Sequence, residues 1–398
     1  MKLNTDRLKN NILRLGSIGR TMDGGITRLG FTDEYYKAAD LFKELLEDAG
    51  LEVHIDKVGN VIGRKKGKKS EKIIMTGSHL DTVVNGGIFD GNMGAAAGLE
   101  FAYYIKENNI ELNHTIEIVG FNAEEGGEMG GTFGSRAMMG LIDLDKKGLV
   151  EKLGKYNLSI DDIKDSTIDT DRIKCFIEFH IEQGNILYEN NIPIGIVSGI
   201  VGITRYKITA LGESNHAGTT MMKGRKDAFQ ALAKLAVQSD DYISNVDDIL
   251  VGTFGVVNIY PNMANVIPGK AEAILELRHM DQNVIDDTIE RIKAIADSID
   301  SAKFTFEKII SKKSCQCDKD IISIIDKVCK DNNIKYKTIH SGAGHDANAI
   351  AKKAPVGMIF VPSEKGKSHC PSEWTDWDDI EKGCEILFKT LLKIDEQI

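Results

Sequence analysis

The sequence predicts an α/β protein with a mainly parallel central sheet covered by helices, plus an inserted α+β domain. Three observations predict it. From residue 35 to 200 short apolar strands alternate with amphipathic helices, and strand, helix, strand order imposes right-handed crossovers and parallel pairing. Between about Arg205 and Lys313 the order changes to βαββαβ, a small α+β unit of its own. After it the first pattern resumes. The 398 residues also exceed what one ordinary core organises. The expected organisation is a discontinuous main domain, residues 1–204 and 314–398, interrupted by an inserted domain over 205–313.

The elements follow in order. "MKLNTDRLKNNILRLG" sets Leu3, Leu8, Ile12 and Leu15 on one face between charges, which is an amphipathic helix without the apolar stretch of an export signal. "EYYKAADLFKELLEDAG" reads as a second helix, "LEVHIDKVGNVIGRK" as a strand pair and "KIIMTG" as a buried strand. A small-residue helix, "MGAAAGLEFAYYIKEN", precedes the strands "TIEIVGFN" and "CFIEFHIEQG". The inserted region reads as strand "TRYKITALG", helix "RKDAFQALAKLAVQSDDYI", strands "GTFGVVNIYP" and "GKAEAILELRHMD", helix "NVIDDTIERIKAIADSI" and strand "AKFTFEKII". "CDKDIISIIDKVCKDNNIKYK", "SGAGHDANAIAKKAPVGMIFVPS" and a terminal helix complete the main domain.

A formal net charge of -10 leaves no basic surplus to neutralise phosphates, which argues against nucleic acid. The one basic cluster, "RKKGKKSEK", reads as a solvated loop before a strand. Six cysteines form no C-x-x-C pair, so reduced thiols are expected. No segment approaches the roughly 20 apolar residues of a membrane span. The expectation is a soluble, cytoplasmic protein, in which the sequons at Asn113 and Asn157 carry no meaning.

Nine histidines are present. His54, His114 and His340 stand in amphipathic or polar surroundings, and His279 at a strand end; all four read as structural or surface residues. The other five, His79, His180, His216, His345 and His369, sit in "SHLD", "FHIEQG", "SNHAGTT", "GAGHDA" and "SHCPSE". Carboxylates sharpen the pattern. Glu124 and Glu125 are adjacent at the end of a strand expected to be buried on both faces, where two neighbouring charges repel and are poorly solvated. A cation would remove both problems. Imidazole and carboxylate ligands without thiolate suit zinc, and also manganese, cobalt or nickel. Taking His79, Asp90, Glu125, His180 and His369 as ligands, each of two ions has two terminal protein ligands and shares Asp90. A carboxylate shared by two ions about 3.5–4 Å apart is a familiar means of activating a water. Asp81 is expected to accept the second N–H of His79 and fix its tautomer. Glu124 is left as general base. Gly86 and Gly87 are expected to turn the chain so that Asp90 reaches the metals, and Gly91 and Gly94 to allow close packing of the next helix.

These motifs, "GSHLDTV.NGG.FDG", "AEEGG", "FGSR", "HIEQG", "HAGTT", "NVIPG", "GAGHDA" and "FVPS..G.SH.P.E", run in order through nearly the whole chain. Together they resemble the amidase/hydantoinase/carbamoylase family of metallopeptidase-like amidohydrolases. The resemblance implies a di-zinc aminopeptidase-like catalytic domain and a ferredoxin-like inserted domain that acts as lid and dimerisation element. It implies two divalent ions per subunit, His79 and His180 on one, Glu125 and His369 on the other, Asp90 bridging, with Glu124 as base. Gln183 and Arg278 are implied to bind a small carbamoyl or ureido substrate, Arg278 through the substrate carboxylate. His216 and Asn265 are implied to hydrogen-bond its carbonyl oxygen, His216 from the neighbouring subunit of a homodimer. The substrate class first implied is an N-carbamoyl-L-amino acid, then allantoate, then the β-ureidopropionase substrate, then a peptide or acyl amide of the same fold. Two departures stand out: Met221 where proline is usual and Glu276 where aspartate is usual.

Overall fold

Strands of a computed structural model describing residues 3–397 form two separate sheets. Met1, Lys2 and Ile398, which the sequence readings of the two ends include, lie outside the described residues. In chain order the strands are β1 (Glu52–Ile55), β2 (Val61–Lys65), β3 (Ser70–His79), β4 (His114–Phe121), β5 (Ile173–Ile181), β6 (Ile194–Ile200), β7 (Gly202–Leu211), β8 (Val251–Tyr260), β9 (Lys270–His279), β10 (Lys303–Lys312), β11 (Cys315–Gln316), β12 (Tyr336–Ser341) and β13 (Val356–Val361). The chain divides into two compact units, one comprising the residues up to Ile200 and from Gln316 onward, the other Val201–Cys315. The second unit opens and closes a few residues outside the 205–313 read from the sequence.

In the first unit the sheet order is β1-β2-β4-β3-β5-β13-β6-β11, with β12 beside β6. The centre is parallel, β4 with β3, β3 with β5 and β5 with β13, while β1, β2 and the β13–β6 pair are antiparallel. β4 and β13 are buried along their whole length, as unbroken apolar runs covered on both faces must be. Two helices, Asn92–Glu107 and Trp377–Asp395, meet over this sheet with Phe101 edge-on to Phe388, centroids 5.1 Å apart. Register then decides the site. His79 aligns with Phe121 and Phe360 with His180, so the carboxyl ends of β3, β4, β5 and β13 lie side by side.

The second unit is an antiparallel sheet, β10-β7-β9-β8, in βαββαβ order with helices Ala228–Ile243 and Gln282–Asp297. β9 alternates buried and half-buried residues, so Ala273, Leu275 and Leu277 join Leu232, Leu235, Ile289 and Ile292 in one core. The opposite face carries the charged residues Arg205, Glu272, Glu276 and Arg278. Both helices begin on an aspartate cap: Asp227 accepts from the N–H groups of Phe229 and Gln230, and Asp281 from that of Asn283.

One buried charge pins the end of β3. Arg28 is fully buried and donates from Nε to the Leu80 carbonyl at 2.6 Å, and from Nη1 to the carbonyls of Leu15 at 2.7 Å and Ile18 at 3.0 Å. Burial pulls its guanidinium down to about 10, with the Asp81 charge opposing the shift, so it remains a cation at neutral pH. It therefore ties the end of the first helix, Thr5–Gly16, to the residue that follows His79. Replacing Arg28 by leucine leaves the buried Leu80 carbonyl and the half-buried Ile18 carbonyl without their donor, and urea denaturation should show a loss of about 2 kcal/mol or more. An unchanged midpoint would refute the assigned role.

Candidate functional site

Each ligand-type side chain arrives at the same sheet edge by a different route. β3 ends on His79, β5 carries His180 one residue before its end, and the chain leaving β4 passes through Ala123, at φ 54°, into Glu124 and Glu125. Asp90 lies just before helix Asn92–Glu107, and His369 lies in the loop after β13, at φ 56° and half exposed.

Asp90 is the point of convergence. Its Oδ1 lies 3.1 Å from His180 Nε2 and 3.4 Å from His79 Nε2, and its Oδ2 lies 3.2 Å from His369 Nε2. Glu125 Oε2 is 3.5 Å from the same His369 nitrogen. Among the described residues, His79, Asp90 and His180 form one group of donors within 4.8 Å of each other, and Asp90, Glu125 and His369 a second. One carboxylate thus offers one oxygen to each group.

A third group, Glu178, His180 and His345, lies within the same distance. Its members are already occupied by protein. Glu178 accepts from Ser78 Oγ at 2.9 Å and from the Ala347 N–H at 2.9 Å, and His345 Nε2 is 2.8 Å from Ser341 Oγ. His345 packs edge-on to the His180 ring at 4.6 Å, and burial, then the His180 charge, hold its pKa well below the ordinary value. Its part here is to wall and orient His180.

Tautomers are set by carbonyls. His180 Nδ1 is 2.9 Å from the Ile181 carbonyl and His79 Nδ1 is 3.0 Å from the Asp81 carbonyl, which turns both Nε2 atoms toward Asp90. The expectation for Asp81 is corrected here: the backbone oxygen of Asp81, not its carboxylate, accepts from His79, and the carboxylate lies 3.8 Å away. That carboxylate instead accepts the N–H of Glu124 at 3.0 Å and of Glu125 at 3.1 Å, one oxygen each. A two-residue spacing supports either geometry; the neighbouring strand end, with two unpaired N–H groups, decides it.

The glycine reading also divides. Asn85, at φ 54°, takes the left-handed conformation in that turn, whereas neither Gly86 nor Gly87 does. Gly87 is required for a different reason: a Cβ there would lie 2.1 Å from the Glu373 carboxyl. Gly91 has φ 64° and lies so near the His79 ring that a Cβ would come within 2.4 Å of it.

The donor set fits a cation. Burial, with the Asp90 charge adding to it and His79 and His369 opposing, raises Glu125 to about 7. Burial likewise drives Glu124 well above its ordinary value; His79 opposes, while Asp346, Glu125 and Asp81 add to the rise. Asp90 is held well below the ordinary range, because its bonds to His180, His369 and His79 overcome the cost of burial. Glu125 Oε1 is buried without a hydrogen-bond partner. An uncompensated carboxylate oxygen on a residue that shares His369 with Asp90 is the arrangement a divalent ion relieves.

Gln183 adopts φ 59° and donates from Nε2 to Asp90 Oδ2 at 2.8 Å, leaving its Oε1 buried and unpartnered. His216, Asn265 and Arg278 belong to the second unit. There the His216 and Val266 backbones form a short antiparallel bridge, and the Ala217 N–H donates to the Asn265 carbonyl at 3.0 Å, which brings the two loops together. His216 Nδ1 accepts from the N–H groups of Gly218 and Thr219 at 3.1 and 3.3 Å, so the proton sits on Nε2, a donor on an exposed ring. Glu276 Oε1 receives Arg278 Nε at 2.7 Å and Nη2 at 2.6 Å, while its Oε2 pairs with Arg205.

Of the histidines read as structural or surface residues, His114 is buried against Asp395 at 3.1 Å and His279 Nε2 lies 3.0 Å from Asp247, while His54 is exposed on β1 and His340 half-buried on β12. The six cysteines are free. No helix among the described residues is long and apolar enough to cross a membrane. Sequence reasoning did not single out Arg28, Glu178, Asp346, Ser368 or Glu373, all polar groups of the same network. Their signal is faint, since only "GAGHDA" and "SHCPSE" place any of them beside a suspected histidine.

Residues 75–393 match the model of peptidase family M20/M25/M40. The chain belongs to that family. As an M20 hydrolase it is 35% identical to an N-carbamoyl-L-amino acid amidohydrolase of Geobacillus stearothermophilus, over 98% of both chains. It is 36% identical to an allantoate amidohydrolase of Escherichia coli K12, over 96% of this chain and 95% of the relative. Among solved structures, an amidase of the hydantoinase/carbamoylase family from Burkholderia multivorans superposes with a TM-score of 0.87 at 29% identity, covering 99% of this chain and 98% of the other. The M20 fold supplies the largely parallel sheet, and the M20 chemistry calls for divalent metal at the donor groups around Asp90.

Replacing Asp81 by alanine leaves the Glu124 and Glu125 N–H groups without their acceptor. Equilibrium dialysis should show metal affinity falling by about 10- to 100-fold while far-UV circular dichroism is preserved. Wild-type affinity in the variant would refute this.

Proposed function

We propose that this hydrolase cleaves the carbamoyl C–N bond of an N-carbamoyl-L-amino acid, giving the amino acid, carbon dioxide and ammonia. The observation that carries the reading is the division of the two Asp90 oxygens between two groups of donors, with Glu124 beside them. His79, His180 and Asp90 would hold one divalent ion, and Asp90, Glu125 and His369 a second. Zinc suits this donor set first, then manganese, cobalt or nickel. Bound there, the ions supply Lewis acidity, lowering the pKa of a water and polarising the scissile carbonyl.

The chain's own residues would do the rest. Glu124 takes the proton of the attacking water as oxygen adds to the carbamoyl carbon. When the C–N bond to the amino acid breaks, Glu124 returns that proton to the leaving nitrogen, and the carbamate released decomposes to carbon dioxide and ammonia. Its raised pKa suits the second task, and ionisation beside metal the first. The Nε2 proton of His216 and the amide of Asn265 hydrogen-bond the carbonyl oxygen as it gains charge. Arg278 takes the substrate carboxylate with its planar fork, and the unpartnered Oε1 of Gln183 is an acceptor for a substrate N–H. We assign the inserted domain the roles of lid and dimerisation element, His216 serving the partner's site. The β8 edge strand supports dimerisation by exposing Val251, Val256, Val257 and Tyr260. Six free cysteines support a reducing, cytoplasmic setting.

Allantoate is the second reading. It carries both a ureido group and a carboxylate, and the allantoate relative is as similar in sequence as the carbamoyl one.

Ammonia release from N-carbamoyl-L-amino acids, N-carbamoyl-β-alanine and allantoate, set beside free amino-acid release from N-acetyl amino acids and dipeptides, with each metal in turn, tests the reading. Turnover should be confined to carbamoyl or ureido compounds, and exclusive dipeptide cleavage would overturn it. Glu124→Gln should keep its metal and lose about 10²- to 10⁴-fold in kcat. Metal analysis of Asp90→Ala should find both ions lost together, whereas retention of either would exclude the shared ligand.

A further inference from the structure

Asp90 is held from behind as well as in front. Glu373, buried in the loop after β13, accepts the N–H of Phe89 at 2.9 Å and of Asp90 itself at 3.1 Å on Oε1. Its Oε2 lies 2.9 Å from Ser368 Oγ, and that hydroxyl lies 3.0 Å from Asp90 Oδ2. Glu373 therefore holds the main chain of Asp90 directly, while the Ser368 hydroxyl, between the two carboxylates with one proton to give, donates it to Asp90 Oδ2. The approach leaves no room at residue 87, where a Cβ would overlap the Glu373 carboxyl. Gln183 Nε2 adds a donor to the same Oδ2 at 2.8 Å.

These contacts restrict one degree of freedom in particular. A free aspartate rotates readily about its last side-chain torsion, which is broad rather than three-welled. Rotation by a quarter turn would take both oxygens out of line with the two donor groups. Donors from Ser368 and Gln183, both on Oδ2, oppose that rotation, and Glu373 fixes the base from which the side chain springs.

We propose that Glu373 and Ser368 are positioning residues that lock the plane of the Asp90 carboxylate, so that it presents one oxygen to His79 and His180 and the other to Glu125 and His369. The inference rests on Asp90 being a shared ligand. Ser368 acts on Oδ2 alone, so its loss falls on the ion held with Glu125 and His369. Glu373 carries the main chain of Asp90, so its loss falls on both ions.

The test is a zinc titration of the metal-depleted full-length protein, by calorimetry with a competing chelator, alongside the melting temperature of the apo form. Wild type should bind two ions. Ser368→Ala should keep the tighter ion at wild-type affinity, weaken the other by about 10- to 100-fold and leave the apo melting temperature unchanged; Ser368→Thr, which keeps the hydroxyl, should restore it. Glu373→Ala should weaken both ions. If that variant fails to fold, the two Ser368 variants carry the test alone. Equal weakening of both ions in Ser368→Ala, or no weakening, overturns the proposal while leaving the di-metal reading intact. Fewer than two ions in wild type overturns that reading, and the proposal with it.

Discussion

Everything at this sheet edge follows from a single buried carboxylate that must face three imidazoles at once. Asp90 has one oxygen near His79 and His180 and the other near His369, and its charge is what makes those rings cohere. A lone buried anion is costly, and three histidines with two further hydrogen-bond donors are what this protein sets against the cost. Two of the other carboxylates are turned to donors of their own. Asp81 turns to the N–H groups of Glu124 and Glu125, and Glu178 to Ser78 and the Ala347 N–H. Each acid has a separate task because each has a separate set of donors.

The sheet makes this affordable in conformational terms. Four adjacent parallel strands end together, so their last residues are ordered by hydrogen bonds far from the chemistry. Asp90, Glu125 and His369 come from loops, and each is buttressed: Asp90 by Glu373, Glu125 by Asp81, and the loop of His369 by Ser368, its neighbour in sequence. In the second unit the charged face of an antiparallel sheet plays the equivalent part, with Glu276 holding Arg278 and Arg205 from one carboxylate.

Much of this was legible in the residues. Apolar runs such as "KIIMTG" and "VGMIFV" read as buried strands because a strand covered on both faces has no polar side, and the residues just past them stand out by contrast. His79, Glu124, Glu125 and His180 were legible for that reason, and Asp90 and His369 from the motifs "NGGIFDG" and "SHCPSE" around them. Asp81 was legible as a participant but not in its role, since one residue's carbonyl and carboxylate cannot be told apart by spacing. Arg28 and Glu373 were not legible at all. An arginine in "ITRLG" or a glutamate in "CPSEW" looks like surface until the fold closes over it, and the partners of both are main-chain atoms that leave no trace in composition. Gly87 shows the same limit: its reason is a side chain 286 residues away.

The spread of the donors along the chain has a temporal consequence. His79 to His180 are made before the βαββαβ unit, and His369 only after it. A chain ending between residues 180 and 369 carries His79, Asp90, Glu125 and His180 and lacks the one ring that completes the second group. That group can close only once the chain on both sides of the βαββαβ unit is present.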